Sequence, residues 1–353
     1  MIEKPLQPSA TLFDAVRAIE QSRRRIAVVV DAGARLLGTL TDGDVRRSLL
    51  AGGDMKTPAI DAMNVHPVSA PDGSPAGYLL DLMKRANVLA VPTVDAQGRF
   101  VRLMHLTDLD GERASAEKLG FASAVIMAGG EGTRLRPLTY SMPKPMVDIG
   151  GIPLLERQVR RLAAAGIGQC FISVNYLSGV IEDHFADGNA FGIRIEYLRE
   201  RQKMGTAGAL SLLPRRPEGP ILVMNGDIVT TSDFASFYSY HLSHDALVTV
   251  AAIDYRVQIP FGVIRSEGAL VSGLEEKPAQ RFLCNAGIYA LAPQALSMLP
   301  QGPCNMTDLI RDCIVASRRV AVFPMHEFWS DIGTPDDLER ARAAFSSMAG
   351  ARE

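Results

Sequence analysis

Residues 122–139 read ASAVIMAGGEGTRLRPLT, and Pro143-Lys144-Pro145 follows shortly after. The apolar run 122–127 has the length of one buried strand. Behind it come three glycines in four positions, Gly129, Gly130 and Gly132. They let the backbone turn tightly and approach a ligand with no Cβ in the way. Amides freed in this manner can point at phosphate oxygens, as at other junctions of strand, glycine loop and helix. Arg134 and Lys144 add fixed positive charge. The stretch therefore predicts a place to hold a nucleoside triphosphate. It lacks the Gly-Lys-Ser/Thr ending of a P-loop and the G-x-G-x-x-G spacing of dinucleotide folds.

Around this stretch the chain has 353 residues, enough for two domains with cores of their own. Lys plus Arg is 37 and Asp plus Glu is 39, so no basic footprint points to nucleic acid. No apolar run reaches transmembrane length, which argues against a membrane partner. The opening residues MIEKPLQP carry no signal-peptide core. Cys170, Cys284, Cys304 and Cys313 are scattered, without a C-x-x-C pair. They read as buried free thiols of a cytoplasmic protein.

Upstream, residues 26–44 (IAVVVDAGARLLGTLTDGD) align without gaps on residues 90–108 (AVPTVDAQGRFVRLMHLTD), an offset of 64. Each copy follows a helical stretch, 11–20 and 75–85, and each reads as strand, turn, strand. Half-units of this kind cannot bury their own apolar faces and are expected to pack on each other. The segment 110–120 is polar with glycine near each end and reads as an inter-domain connection.

Downstream, apolar runs at 124–127, 170–174, 193–198, 221–224 and 247–252 alternate with helical patterns at 154–165, 179–185 and 207–212. That order implies βαβ units, a mainly parallel sheet and an α/β fold. Ligands of such sheets bind at the carboxyl ends of the strands. The glycine loop and Asn225-Gly226-Asp227 both sit at strand ends of that kind. A helix start with proline in its first turn is expected at Thr334-Pro335.

The string GGEGTRLRPLT with PKP downstream resembles the signature of the sugar-1-phosphate nucleotidyltransferases, and the likeness runs over roughly 122–345. The family implies a Rossmann-like, GT-A-like nucleotidyltransferase domain. It implies Mg²⁺ on Asp227 and on Asp331 of Trp329-Ser330-Asp331-Ile332-Gly333-Thr334. Magnesium takes few protein carboxylates beside phosphate oxygens and water, which two aspartates satisfy. Gly205-Thr206-Ala207-Gly208 resembles the loop that closes over the base. Glu275-Glu276-Lys277-Pro278 resembles the family's E-E-K-P, whose lysine reaches the sugar phosphate. Gly262 of Phe261-Gly262-Val263 and Asn285 of Asn285-Ala286-Gly287 match segments that line the sugar pocket.

These assignments describe in-line attack of a sugar-1-phosphate oxygen on the α-phosphorus of a triphosphate, with no protein nucleophile. Arg134 and the loop of Gly129, Gly130, Gly132 and Thr133 would hold the β- and γ-phosphates. Lys144 would offset charge at the α-phosphate, and Lys277 would hold the attacking phosphate. Glu200, five residues before Gly205, can only accept hydrogen bonds, and guanine offers two adjacent donors. That favours GTP. The alternatives are that Gln202 reads the base, or that the donor is a pyrimidine triphosphate used by a uridylyl, thymidylyl or cytidylyl transferase on a sugar or alcohol phosphate.

The repeat resembles a tandem CBS-domain pair over residues 1–112, joined by a linker at 113–121 to a transferase domain at 122–353. The resemblance implies that Thr41 and Asp44 contact an adenine nucleotide. Asp108 is the counterpart of Asp44, while Arg102 and His105 depart from the pattern. A CBS pair ahead of a short transferase is similar to glucosamine-1-phosphate guanylyltransferases of nonulosonic acid pathways, with mannose-1-phosphate guanylyltransferases as near neighbours. Both families commonly dimerise, so a homo-oligomer, dimer or higher, is expected. The expected product is a GDP-sugar for surface glycans. A different class of reading is a nucleotide sensor whose transferase domain is inactive.

Overall fold

A computed structural model describes residues 4–22, 25–86, 88–105, 108 and 120–350. It divides into two compact units, Met1–Glu117 and Lys118–Glu353. The expected linker residues 113–119 lie outside the described residues. Phe121 is buried against the rings of Phe237 and Tyr238, so it belongs to the core of the second unit.

The first unit is built twice over. Helix Leu12–Gln21 starts on a Thr11–Asp14 capping box and leads into the antiparallel pair Ile26–Val30 and Leu36–Thr41. Helix Ala76–Ala86 leads likewise into Ala90–Val94 and Phe100–His105. The registers repeat with the sequence offset: Ile26 faces Thr41 as Ala90 faces His105. A bulge falls between Val29 and Val30 and again between Thr93 and Val94. A parallel bridge joins Leu6 to Val29 as another pairs Ala70 with Thr93.

The copies meet through two reciprocal backbone hydrogen bonds around an Arg35–Arg99 bridge. Leu36 N donates to Gly98 O (3.1 Å) and Phe100 N to Ala34 O (2.8 Å). Donors and acceptors exchange places between copies, as an internal two-fold requires. The run IAVVV is apolar on both faces for the same reason. Ala27 and Val29 pack on helix Leu12–Gln21, while Val28 and Val30 join Ala90 and Leu103 of the other copy.

The second unit centres on a seven-stranded sheet. Its spatial order is Arg194–Arg199, Gln169–Val174, Ser123–Met127, Ile221–Asn225, Ala279–Leu291, Val248–Gln258 and Val320–Met325. The first four strands run parallel, Ala279–Leu291 is antiparallel to both its neighbours, and the last pair is parallel again. Ser123–Met127 is a near-continuous apolar run because both of its faces are covered. Ala124 and Ile126 enter one core cluster, and Val125 enters the other.

From that strand the chain winds outward through Gln169–Val174 and Arg194–Arg199, then returns to its opposite side at Ile221–Asn225. The two directions part at the carboxyl end of Ser123–Met127, where the glycine loop begins. Val248–Gln258 and Ala279–Leu291 outrun the sheet. Their outer halves, with the hairpin Val263–Glu267 and Leu270–Glu275, are mostly exposed. The closing helix, Pro335–Gly350, starts on a Thr334–Asp337 capping box, with Pro335 in its first turn.

Candidate active site

Two strand ends and one short two-stranded sheet assemble the polar centre. After strand Ile221–Asn225 the chain turns at Gly226, whose N–H donates to Met127 O at 2.8 Å, next to the glycine loop. Ile228–Thr230 then pairs antiparallel with Trp329–Asp331, placing Ile228 opposite Asp331. Ile332 N donates to Asp227 O (2.9 Å). Two carboxylates far apart in sequence thus become neighbours.

Lys144 lies between them, 8% exposed. Its Nζ donates to Asp227 Oδ2 at 2.5 Å and stands 3.9 Å from Asp331 Oδ1. Gly132 packs directly on this lysine. It holds φ +61°, and a Cβ there would stand 2.7 Å from Lys144 Cβ. Arg134 closes the far side, its guanidinium 3.4 Å from where a Gly333 Cβ would be. Burial raises the Asp331 carboxyl pKa, the charge of Asp227 raises it further, and Lys144 and Arg134 oppose the shift. Asp331 Oδ1 is buried without a hydrogen-bond partner.

This donor set fits a hard divalent cation: two carboxylates, one with an unsatisfied oxygen. Among the described residues no group of three or more His, Cys, Asp or Glu forms a complete metal cage. The remaining ligands would have to come from substrate and water.

The glycine loop leads into a three-residue 3₁₀ turn, Thr133–Leu135. So short a turn sums few peptide dipoles. Positive charge therefore comes from Arg134 and Lys144, and the loop supplies only its amides.

The second strand-end group surrounds Glu200. Its Oε1 accepts from Ser173 Oγ, its Oε2 accepts from Met204 N (2.8 Å), and its carbonyl accepts from Asn175 Nδ2 (2.8 Å). A Cβ on Gly129 would stand 2.9 Å from Oε1, so the glycine loop and Glu200 are in close approach. Thr206 Oγ1 accepts from Met306 N (2.9 Å), and Ala207 and Gly208 donate to Cys304 O. The turn Gly205–Gly208 is thereby fixed to the segment 304–306, with the Thr206 hydroxyl oxygen already bonded inside the protein.

The sugar-side candidates sit on the projecting strands. Gly262 approaches Glu276, whose Oε2 would be 3.0 Å from an added Cβ. Lys277 is exposed with φ +47°, and its carbonyl accepts from Gln258 Nε2. Asn285 is spanned internally, Nδ2 to Tyr289 OH (2.8 Å) and Oδ1 from Gly287 N (2.9 Å). Trp329 Nε1 donates to Ala286 O (2.8 Å), which ties this segment to the strand carrying Asp331.

In the first unit, Thr41 and Asp44 form a capping box for helix Asp42–Leu50. Asp44 Oδ2 accepts from Thr41 N (2.7 Å) and Oγ1 (2.6 Å), and Arg47 pairs with Oδ1. Asp108 keeps the backbone half of this arrangement, accepting from His105 N (3.0 Å). His105 has no hydroxyl to complete it.

Gln158 was not among the expected residues. It is buried, and its Nε2 donates to Asn225 O (2.9 Å) and Ile228 O (2.7 Å). It thus grips the turn that carries Asp227 from both ends. Its sequence signal is a polar residue within the buried stripe Leu154, Leu155, Val159, Leu162.

Both units are similar to known proteins. Residues 123–347 match the family model "Nucleotidyl transferase", and residues 4–51 match the CBS domain model. A mannose-1-phosphate guanylyltransferase of Mycobacterium tuberculosis is 32% identical over 229 residues, 62% of this chain and 63% of the relative. The catalytic subunit beta of the Xenopus tropicalis mannose-1-phosphate guanylyltransferase is 32% identical over 224 residues, 61% and 62% respectively. The chain thus spans less than two thirds of the length of these relatives. A crystal structure described as a glucose-1-phosphate thymidylyltransferase from Bacillus anthracis has a TM-score of 0.51 at 24% identity. The match covers 63% of this chain and 94% of that one, and it shows the fold. HddC from Yersinia pseudotuberculosis gives 0.50 at 27% identity, covering 63% and 99%. No helix among the described residues is long and apolar enough to cross a membrane.

Proposed function

The chain belongs to the nucleotidyl transferase family, and from that premise we propose that it transfers a guanylyl group from GTP to a sugar 1-phosphate. The observation that carries the reading is the Lys144–Asp227–Asp331 group against Gly132 and Arg134. A phosphate oxygen of the sugar 1-phosphate bonds to the α-phosphorus of GTP. The bond from that phosphorus to the β-phosphate bridging oxygen breaks, and pyrophosphate leaves. Mg²⁺, when held by Asp227 and Asp331, supplies charge neutralisation where the two phosphates meet.

The chain's own residues do the positioning. Arg134 and the amides of Gly129, Gly130, Gly132 and Thr133 hold the β- and γ-phosphates. Lys144, fixed by Asp227, presents its ammonium to the α-phosphate. Lys277 and Glu276 take the sugar phosphate and sugar hydroxyls, with Gly262 and Asn285 beside them. Glu200 reads guanine. Its two donors, Ser173 and Met204 N, fix its orientation and leave lone pairs for the N1–H and 2-amino groups. The relatives named as mannose-1-phosphate guanylyltransferases support guanine and make mannose 1-phosphate the first acceptor to try, with glucosamine 1-phosphate the second.

The first unit, on this reading, is a CBS pair that binds an adenine nucleotide and regulates or dimerises a cytoplasmic enzyme making GDP-sugar for surface glycans. The test is a pyrophosphate-release screen with Mg²⁺, crossing GTP, UTP, dTTP, CTP and ATP with mannose-, glucosamine-, glucose- and N-acetylglucosamine 1-phosphate. Release with GTP and one sugar is expected, and Glu200→Gln should shift use toward UTP or dTTP. Release from the wild type with a pyrimidine triphosphate alone would overturn the Glu200 assignment.

A further inference from the structure

The phosphate loop carries a negative charge of its own. Glu131 stands between Gly130 and Gly132, in the segment whose amides would face a triphosphate. Left alone, that carboxylate would repel the ligand the loop is shaped to hold. It is not alone. Lys203 Nζ lies 2.7 Å from Glu131 Oε1, and Arg136 lies 3.7 Å from Oε2. The Lys203 hydrogen bond and charge hold the Glu131 carboxyl below its usual pKa range, with Arg136 a smaller influence.

The pair is too exposed to matter much for folding. The Lys203 side chain is 74% exposed, and ion pairs in such settings add little stability. Its position is the informative part. Lys203 belongs to the loop that starts at Glu200 and ends at Met204, whose N–H binds Glu200 Oε2. That loop is held on its inner side by Glu200, against Ser173 and Gly129, and on its outer side by Lys203. One lysine therefore joins the loop that reads the base to the loop that cradles the phosphates.

Building on the triphosphate reading above, we infer that Lys203 is a positioning residue for the nucleotide. It screens the Glu131 carboxylate out of the phosphate loop and so sets the affinity for the triphosphate. Screening and a direct contact between Lys203 and phosphate differ in one outcome. Removing the lysine exposes Glu131, and removing Glu131 as well should cancel the damage.

The experiment compares wild type, Lys203→Met and Lys203→Met/Glu131→Gln. It reads KM for GTP and kcat in the pyrophosphate assay. It also reads the dissociation constant of GTP from the fluorescence of Trp329, the single tryptophan, two residues from Asp331. Lys203→Met should raise KM and the dissociation constant about tenfold with little change in kcat, an effect that shrinks with added salt. The double variant should return both to within about threefold of wild type. An unaltered Lys203→Met, or a double variant as weak as the single, would overturn the inference. A wild type that binds GTP without releasing pyrophosphate would contradict the proposed reaction instead, and the fluorescence comparison would still decide the role of Lys203.

Discussion

At the scale of the residue, chemistry follows from where burial forces charges together. Lys144 is the clearest case, since a buried ammonium requires a partner and Asp227 supplies it. Lys144, Asp227 and Asp331 are all legible as individual letters in motifs, and the resemblance implies that the two aspartates meet at a metal. The ion pair of Lys144 with Asp227 is not legible, because no local pattern encodes the tertiary contact that buries it. Thr41 and Asp44 show the opposite limit. The same letters that suggest a nucleotide contact also spell a capping box, and the structure uses them as one. His241 makes a residue-scale prediction. It is 2% exposed, its Nδ1 lies 2.8 Å from Thr249 Oγ1, and burial pushes its pKa down to about 4. The unfolded chain takes up this proton near its ordinary value, about 6.5, so stability is complete above that pH and declines as pH falls toward about 4. Urea unfolding at pH 7 and pH 5 should show a loss that His241→Gln reduces. An unchanged difference would contradict the assignment.

At the scale of the element, alternating apolar runs and helical patterns foretold the parallel strands closely. Runs expected at 221–224 and 170–174 appear as Ile221–Asn225 and Gln169–Val174. The antiparallel strand Ala279–Leu291 was harder to anticipate. Half of it is buried and half exposed, so its pattern follows neither template throughout. Only a single 3₁₀ turn follows the glycine loop, since Pro137 interrupts any longer helical run. Helix Leu154–Ala164 matters beyond packing, because Gln158 on its buried stripe holds both carbonyls around Asp227. Gln158→Leu removes that donor from both carbonyls. It should cost about 1–3 kcal/mol in urea unfolding. It should also raise the Mg²⁺ concentration needed for half-maximal activity. Unaltered stability and Mg²⁺ dependence would show that the turn holds itself.

At the scale of the whole molecule, the internal repeat was the most legible feature. A gapless offset in the letters returns as the same offset in registers, bulges and the reciprocal bonds of Leu36 and Phe100. It was readable because each half-unit buries one strand face only against its copy. What such a module binds is less legible, since the fold leaves the choice of ligand to individual side chains. If Thr41 and Asp44 serve an adenine nucleotide as well as their helix, ATP or AMP well above its dissociation constant should raise the melting temperature. At a hundredfold excess the gain is about 2.7 kcal/mol. No shift would leave the repeat a structural or dimerising module.

The most direct test of the central claim is pyrophosphate release from GTP and the preferred sugar 1-phosphate by Asp227→Ala, with GTP binding and melting temperature measured alongside. If Asp227 and its neighbours Lys144 and Asp331 form the reaction centre, turnover should fall by about a thousandfold while the protein stays folded. A folded variant that turns over near the wild-type rate would contradict the account.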